Sequence, residues 1–567
     1  MKALRHVAIA ASALTFAAFA AQPDPVLDAM RAELNRSISL SLNQLDKPYF
    51  VSYTIDDVHS WSASATLGGL VSSGASTFRV PSVRVRVGDY KFDNSNFAGG
   101  GGGGARYDLR SFPLDDDPLV IRQYLWLATD SAYKGSLQTI ARKRAALRSV
   151  TVNDQLPDFS KVPGFQLMRD YTPAKFDDKA WQNRIRRVSK TFEEYPALRT
   201  SIVEYNVGDQ LHRFVNTEGT EIRVPGVTAD IQIRASAQAP DGMIVRDSAF
   251  FYTHDADKMF PEAELDKAAK SVGETVMKMA AAPMGEAYSG PILFEGEAAG
   301  QMFAEVLGRN LHIARKGVAS PGMPSQAAVT ELEGRRGVRI MPESFDVIDD
   351  PTKPGMFGSE EVDDEGVPEK PVSLVEKGVL KDFFRTREPV RGYTDSNGRA
   401  RLGGSPTPTN LVITAHETSS LSDIKQKMID LCRQRELSYA IVIRRMDFPS
   451  TAPIDEARKI LAAAGTGHPV SMPLHVYKLY TDGHEEMIRG VRLRGLNARS
   501  LKDILAAGDD IVTFNYLENG APFALVGYGS NSAEVSVVAP SVLIDDLELI
   551  KVDDELPRLP IAGPPTM

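Results

Sequence analysis

The sequence holds one cysteine, Cys432, in 567 residues. That excludes a disulfide framework and any cysteine-cluster metal or iron–sulfur site within a single chain. No charge sign dominates: 65 Lys+Arg stand against 74 Asp+Glu, a net charge of −9, which argues against nucleic acid as the main partner. Beyond residue 20 there is no apolar run long enough to span a bilayer, which takes about 20 residues. No P-loop, no G-x-S-x-G and no repeat of fixed period is present. The nine histidines are His6, His59, His212, His254, His312, His416, His468, His475 and His484, and no two have the i, i+4 spacing that lets one helix face grip a metal. Wholesale disorder is excluded by 43% hydrophobic and 25% charged residues. A chain this long buries a large core without covalent staples, and its length predicts two or three domains.

The N-terminus carries an address. Lys2, Arg5 and His6 precede the apolar run Val7 to Ala20, and Ala18-Phe19-Ala20 places small residues where a signal peptidase reads. This predicts a secretory signal peptide cleaved after Ala20. The run is short for a membrane anchor, and without an Arg-Arg pair the general secretory route is expected. The mature chain is then expected in a periplasmic or extracellular space, with no transmembrane segment.

Periodicity gives the coarse organisation. A helix is predicted from Asp24 to about Ser39, a strand from Pro48 to Ser62, and a half-buried strand through Val83, Val85 and Val87. Asp117-Pro118 predicts an N-cap and a helix through Trp126, followed by a second helix from Ser131 to Leu147. Pro157 to Asp178 reads as a linker and Trp181 to Glu194 as a helix. Three strands, Ile202–Tyr205, His212–Val215 and Glu221–Val224, are separated by Gly208 and by Glu218-Gly219, which predicts an antiparallel meander. A helix from Pro261 to Met279 follows, then a strand from Ser289 to Phe294 and a long helix from Glu295 to about Arg315. The clearest later element is a hairpin, Val372–Glu376 and Val379–Phe383, joined at Lys377-Gly378. Helices are predicted over Ser422–Arg435 and Ile454–Ala464, and the tail from Pro557 is Pro-rich.

Most single features have bland explanations. The six glycines Gly99 to Gly104 satisfy G-x-G-x-x-G trivially but do not open a helix, so they predict a loop rather than a cofactor site. Cys432 lies in a helical pattern and is expected to be a buried core thiol. His484-Glu485 begins like H-E-x-x-H, but Ile488 holds the fifth position and Asp482-Gly483 marks a turn. Asp363-Asp364-Glu365-Gly366 is expected to be a solvated acidic turn. Asp115 to Asp117 suit a helix N-terminus.

Several stretches together resemble the TldD/PmbA family, once called modulators of DNA gyrase and regarded as zinc metallopeptidases. They are Gly290-Pro291-Ile292-Leu293-Phe294-Glu295 with the helix after it, Asp363 to Pro368, Leu374 to Leu380, Pro408 to Val412, Pro540 to Leu547, and Phe214 to Thr220. The resemblance implies an α+β fold: an N-terminal α/β part, a middle antiparallel sheet part, and a large β-rich C-terminal domain with inserted helices. The implied division is a signal peptide over 1–20, an N-terminal domain with the Gly-rich loop and a helical pair over 21–175, a middle domain over 176–286, a C-terminal domain over 287–553 and a tail over 554–567. It also implies pairing with a homologous subunit, as a homodimer or heterodimer, around a cleft that takes unfolded peptides in extended form.

Active members of that family open the helix after the Gly-Pro strand with H-E-x-x-x-H and add a C-terminal Cys as third zinc ligand. Here the matching segment is Gly296-Glu297-Ala298-Ala299-Gly300-Gln301. Glu297 matches the catalytic Glu, Gly296 and Gln301 replace the two His, and Gly527 to Ser532 contain no Cys. Neither replacement matches imidazole as a zinc donor. No cofactor is therefore expected on this chain, with zinc in an active partner, and Glu297 is expected to serve as a first-turn helix carboxylate. The expected function is a non-catalytic subunit of a peptidase dimer that handles extended or unfolded peptides. Two alternatives are a metallopeptidase with a rearranged zinc site using His468, His475 or His484, and a non-enzymatic envelope protein that binds peptides.

Overall fold

The computed structural model describes residues 23–42, 44–98, 112–149, 156–256, 260–319, 330–448, 470–519, 532–553 and 555–563. The leader, the glycine run, the 454–464 helix, His468 and the Gly527–Ser532 segment lie outside them, apart from the backbone of Ser532. No described helix is long and apolar enough to cross a membrane.

α1 (Pro25–Ser37) starts where Asp24 caps the Leu27 N–H and Pro25 supplies the first-turn φ. β1 (Pro48–Thr66) and β2 (Gly69–Val87) form one long antiparallel hairpin, closed at Leu67-Gly68 with both residues at positive φ. The two-residue strand β3 (Phe97–Ala98) follows. α2 (Pro118–Ala146) is a single helix capped by Asp117, where two helices were expected. Thr129-Asp130-Ser131 does not break it. The Thr129 hydroxyl donates to the Leu125 carbonyl and Asp130 pairs with Lys134 one turn on, so the polar residues are absorbed into the helix.

The 157–178 stretch is more than a linker, because β4 (Gln166–Met168) lies in it. α3 (Asp178–Lys190) ends in a 3-10 turn over Thr191–Glu194 rather than continuing as α-helix. β5 (Leu198–Asn216), β6 (Glu221–Gln238) and β7 (Ile244–Thr253) form the expected meander, but Gly208 does not turn the chain. It sits inside β5, paired in register with Ser60 on β1 and Thr228 on β6. One six-stranded sheet results, in the order β2-β1-β5-β6, with β4 and β7 both on β6.

The two-residue period of β1 sorts the faces of this sheet. Val51, Tyr53 and Ile55 pack under α1 and α2, while Trp61, Ala63 and Ala65 pack under α3 and α4 (Glu262–Ala281). Trp181 of α3 stacks on Tyr205 with ring centres 3.8 Å apart. The opposite face carries Ser52, Thr54 and Asp56 and looks toward the C-terminal part of the chain.

That part begins with β8 (Tyr288–Phe294) and α5 (Glu297–Val306). α5 stops well short of Arg315. Gly308–Asn310 tightens into a 3-10 turn, and the Asn310 amide donates to the last helical carbonyl at Val306. Then come β9 (Val318–Ala319), β10 (Phe345–Asp349), β11 (Val372–Glu376), β12 (Val379–Leu380), β13 (Ala400–Arg401), β14 (Ser405–Pro406) and β15 (Asn410–Ala415). α6 (Leu421–Gln434) follows, then β16 (Tyr439–Met446), β17 (Pro473–Tyr480), β18 (Glu485–Ile488), β19 (Val491–Arg494), β20 (Ile504–Asn519) and β21 (Ser532–Lys551).

An eleven-stranded sheet runs β12-β11-β10-β15-β21-β8-β16-β17-β18, with β19 and β20 also on β21. It is mixed: β8 runs parallel to β16, and β15 to β21. α5 covers one face and α6 the other, and Cys432 lies fully buried on the α6 side, as expected. The β11–β12 turn has both Lys377 and Gly378 at positive φ. Helices segregated onto two mainly antiparallel sheets make the fold α+β.

Candidate functional site

β8 lies between β21 and β16, so the residues that follow it are aimed by both neighbours. Gly296 links β8 to α5 at φ 63°, ψ −123°, a conformation open to glycine and costly for other residues. Its N–H donates to the Ser541 hydroxyl at 2.7 Å, and that hydroxyl donates to Asp510 at 2.6 Å. Glu297 then occupies the first turn of α5, as expected from the macrodipole.

Glu297 is not an isolated helix-end carboxylate. Arg445, near the end of β16, grips it with two hydrogen bonds, Nε to Oε1 at 3.2 Å and Nη2 to Oε2 at 2.5 Å. The same guanidinium reaches the other sheet, donating to Asp247 of β7 at 3.0 Å and to the Ser248 carbonyl. His475 stands opposite Arg445 in the β16–β17 register, with its Nε2 2.9 Å from Asp247. Burial alone would raise the Asp247 carboxyl, but His475 and Arg445 hold it below the ordinary range. Burial likewise opposes the charge on Arg445, and the two carboxylates more than offset that.

Gln301, fully buried one turn along α5, completes the cluster. Its amide donates to Glu297 at 3.1 Å, and its oxygen accepts the Met446 N–H at 2.7 Å. The structure therefore brings Gly296, Glu297 and Gln301 together, adds His475 through Asp247, and leaves His484 on an exposed turn against Asp482 and Tyr480. Arg445 and Asp247 were missed by sequence reasoning. The available signal was Arg444-Arg445 closing an apolar strand, since two charges at the end of a buried run need partners.

Zinc does not fit these residues. Gly296 has no donor atom, the Gln301 oxygen is already occupied by a backbone N–H, and both Glu297 oxygens are held by a guanidinium. No three His, Cys, Asp or Glu among the described residues are arranged to hold a metal ion.

The acidic turn at Asp363 is a correction. It is not solvated: Asp363 and Glu365 are buried, and the Asp363 carboxylate accepts the N–H groups of Glu365, Val367 and Ala400. The turn forms part of one wall of a cavity between the two sheets. At its rim His254, just after β7, meets Glu534 of β21 at 2.6 Å. That hydrogen bond raises the imidazole above its ordinary value of 6.5. A raised folded value stabilises fully below the unfolded value and is lost as pH rises through the folded one. The His254→Gln chain is thus expected to lose more stability, relative to wild type, at about pH 6 than at about pH 9. Urea midpoints at the two pH values check this, and an equal loss at both would refute it.

Comparison with known proteins follows the same lines. Residues 287–434 match the family model of the PmbA/TldA metallopeptidase C-terminal domain. A metalloprotease of Archaeoglobus fulgidus is 39% identical over 94 residues, covering 16% of this chain and 22% of that protein. A metalloprotease of Methanothermobacter thermautotrophicus is 27% identical over 210 residues, covering 36% and 44%. The matches thus span less than half the length of either relative. Among solved structures, a putative modulator of a DNA gyrase from Thermotoga maritima superposes with TM-score 0.58 at 15% identity, covering 88% of this chain and 96% of that one. TldE from Thermococcus kodakarensis gives TM-score 0.58 at 13% identity, covering 93% and 100%. These two likenesses show the fold. Residues 287–434 thus carry the PmbA/TldA metallopeptidase C-terminal domain, set in a fold shared with these two structures along most of the chain.

Proposed function

We propose that this chain is an exported, non-catalytic subunit of a TldD/PmbA-type peptidase pair, one that shapes a cleft for extended peptides while a homologous subunit carries the zinc. The observation that carries the reading is the closed circuit around Glu297. Both of its oxygens are bound to Arg445, and the residue standing where a second histidine is wanted, Gln301, is spent on Glu297 and the Met446 N–H. A catalytic Glu needs a metal-polarised water to act on, and among the described residues no ligand set for that metal stands beside it.

Metal content and hydrolysis test this together. The purified chain, exposed to zinc and desalted, is expected to retain below about 0.1 zinc per chain and to leave unfolded casein uncut. Mixed with a homologue that keeps H-E-x-x-x-H, it is expected to co-elute and to raise that homologue's hydrolysis. About one zinc per chain, lost on His475→Ala, would replace this reading with a rearranged metallopeptidase. Failure to associate with any such homologue would also overturn it.

A further inference from the structure

Among the described strands β2 pairs with β1 alone, so it forms one edge of the six-stranded sheet. An edge strand presents a row of backbone N–H and C=O groups that can recruit another strand, and charge, proline, a bulge or a covering element normally blunts it. The two ends of β2 carry such devices. Toward its C-terminus Val83, Val85 and Val87 pack in the core with α1 and α2, Pro81 has no N–H to offer, and Arg79 is held by Asp57 and Asp116. Toward its N-terminus a bulge at Val71 shifts the register with β1.

Residues 72–78 between them have none of these devices. They pair with β1 in unbroken register, from Ser72 opposite Ser64 to Phe78 opposite Val58. All of them are exposed, and none is charged or proline. Beyond the pairing with β1, their backbone groups meet no partner among the described residues.

The side chains of this run say what kind of strand it accepts. A surface that reads an extended peptide adds pockets for alternate side chains. Ser72, Ser73, Gly74, Ala75 and Ser76 are too small to wall a pocket, but they let another backbone approach closely. They also suit themselves. An antiparallel copy turned about Ala75 places Ser73 of one copy opposite Thr77 of the other, and Gly74 opposite Ser76, and no two like charges meet. Hydroxyl rungs of this kind already join β2 to β1, where Ser72 meets Ser64 and Ser76 meets Ser60, each at 2.7 Å. A patch complementary to itself is what a closed two-fold contact requires.

We propose that residues 72–78 of β2 pair antiparallel with the same residues of a second copy of this chain, about a two-fold axis at Ala75. The two six-stranded sheets then continue into one another, and the open edge is closed. The contact goes beyond the peptidase-pair reading, since it needs neither zinc nor a homologous subunit and uses none of the residues around Glu297.

Sedimentation velocity of the purified chain over a concentration series is expected to show a reversible monomer–dimer equilibrium. Ala75→Lys sets two ammonium groups opposite each other at the axis and is expected to weaken the dimer at least about tenfold. Cysteine variants test the register, and are decisive if Ala75→Lys does not fold. Residues directly opposite in an antiparallel pair have Cα atoms about 4.5–5.5 Å apart, within reach of a disulfide. Ala75→Cys is therefore expected to give a covalent dimer under mild oxidation. Ser72→Cys is expected not to, because its two copies lie about 20 Å apart along the strands. The buried Cys432 adds no background. A wild type that stays monomeric overturns the proposal, even if its edge takes up a peptide strand instead. A dimer that Ala75→Lys leaves intact overturns it too, as does cross-linking of Ser72→Cys as readily as Ala75→Cys.

Discussion

Replacing Arg445 by Met is expected to cost about 3 kcal/mol of unfolding free energy, the lower end of the range for breaking one side of a buried ion pair. The guanidinium ties α5 to β7 through Glu297, Asp247 and the Ser248 carbonyl, and so bridges the two sheets. Methionine fills much of the volume but takes the cation from Glu297 and leaves Asp247 with His475 alone. Glu297 keeps 32% of its side-chain surface in water and can resolvate, whereas Asp247 keeps 3% and cannot. Asp247 therefore sets the size of the loss. Its carboxyl is held below its ordinary 3.8, so its contribution is present above that value and fades as pH falls through the lower folded one. The difference between wild type and Arg445→Met is thus expected to be largest near neutral pH and to shrink in strong acid. Urea unfolding across that range measures it. A loss under about 1 kcal/mol at neutral pH would mean the pair is worth no more than a surface contact.

The same residues show where sequence reasoning stops. Features written within a few residues were legible: the Asp117 cap, the Lys377-Gly378 turn, the inward stripe of α1, and the buried Cys432. Each is decided by local geometry. The errors came where tertiary context overrode a local signal. Thr129 and Asp130 look like a break until their side chains find helical partners, and Gly208 looks like a turn until neighbouring strands pair with it on both sides. The Asp363 turn looks solvated because three acids in a row suit water, but here backbone N–H groups from residues 365, 367 and 400 enclose it. At the candidate site, local sequence supplied Gly296, Glu297 and Gln301. Asp247 lies 198 residues from Arg445 in the chain, and no periodicity encodes such a meeting.

Two histidines placed beside Glu297 test whether the start of α5 accepts a metal ion. A chain carrying Gly296→His and Gln301→His is expected to lose about 2–6 kcal/mol of stability and still bind no stoichiometric zinc. Position 296 sits at φ 63°, ψ −123°, where a histidine is strained by about 1–3 kcal/mol. At position 301 imidazole must replace an amide whose oxygen holds the Met446 N–H, and an orphaned buried donor costs about 1–3 kcal/mol. Even with both rings in place, Glu297 remains bound to Arg445, and a zinc ion would have to approach a guanidinium. Removing that cation as well, with Arg445→Met, takes away the repulsion but leaves the strain at 296. Zinc content after desalting and urea midpoints of the double and triple variants separate these terms. Zinc retained by the double variant at full stability would show that Arg445 yields readily and that the circuit around Glu297 is an accident of sequence drift. Zinc gained only in the triple variant would show that the arginine is the device that holds this helix in a metal-free form.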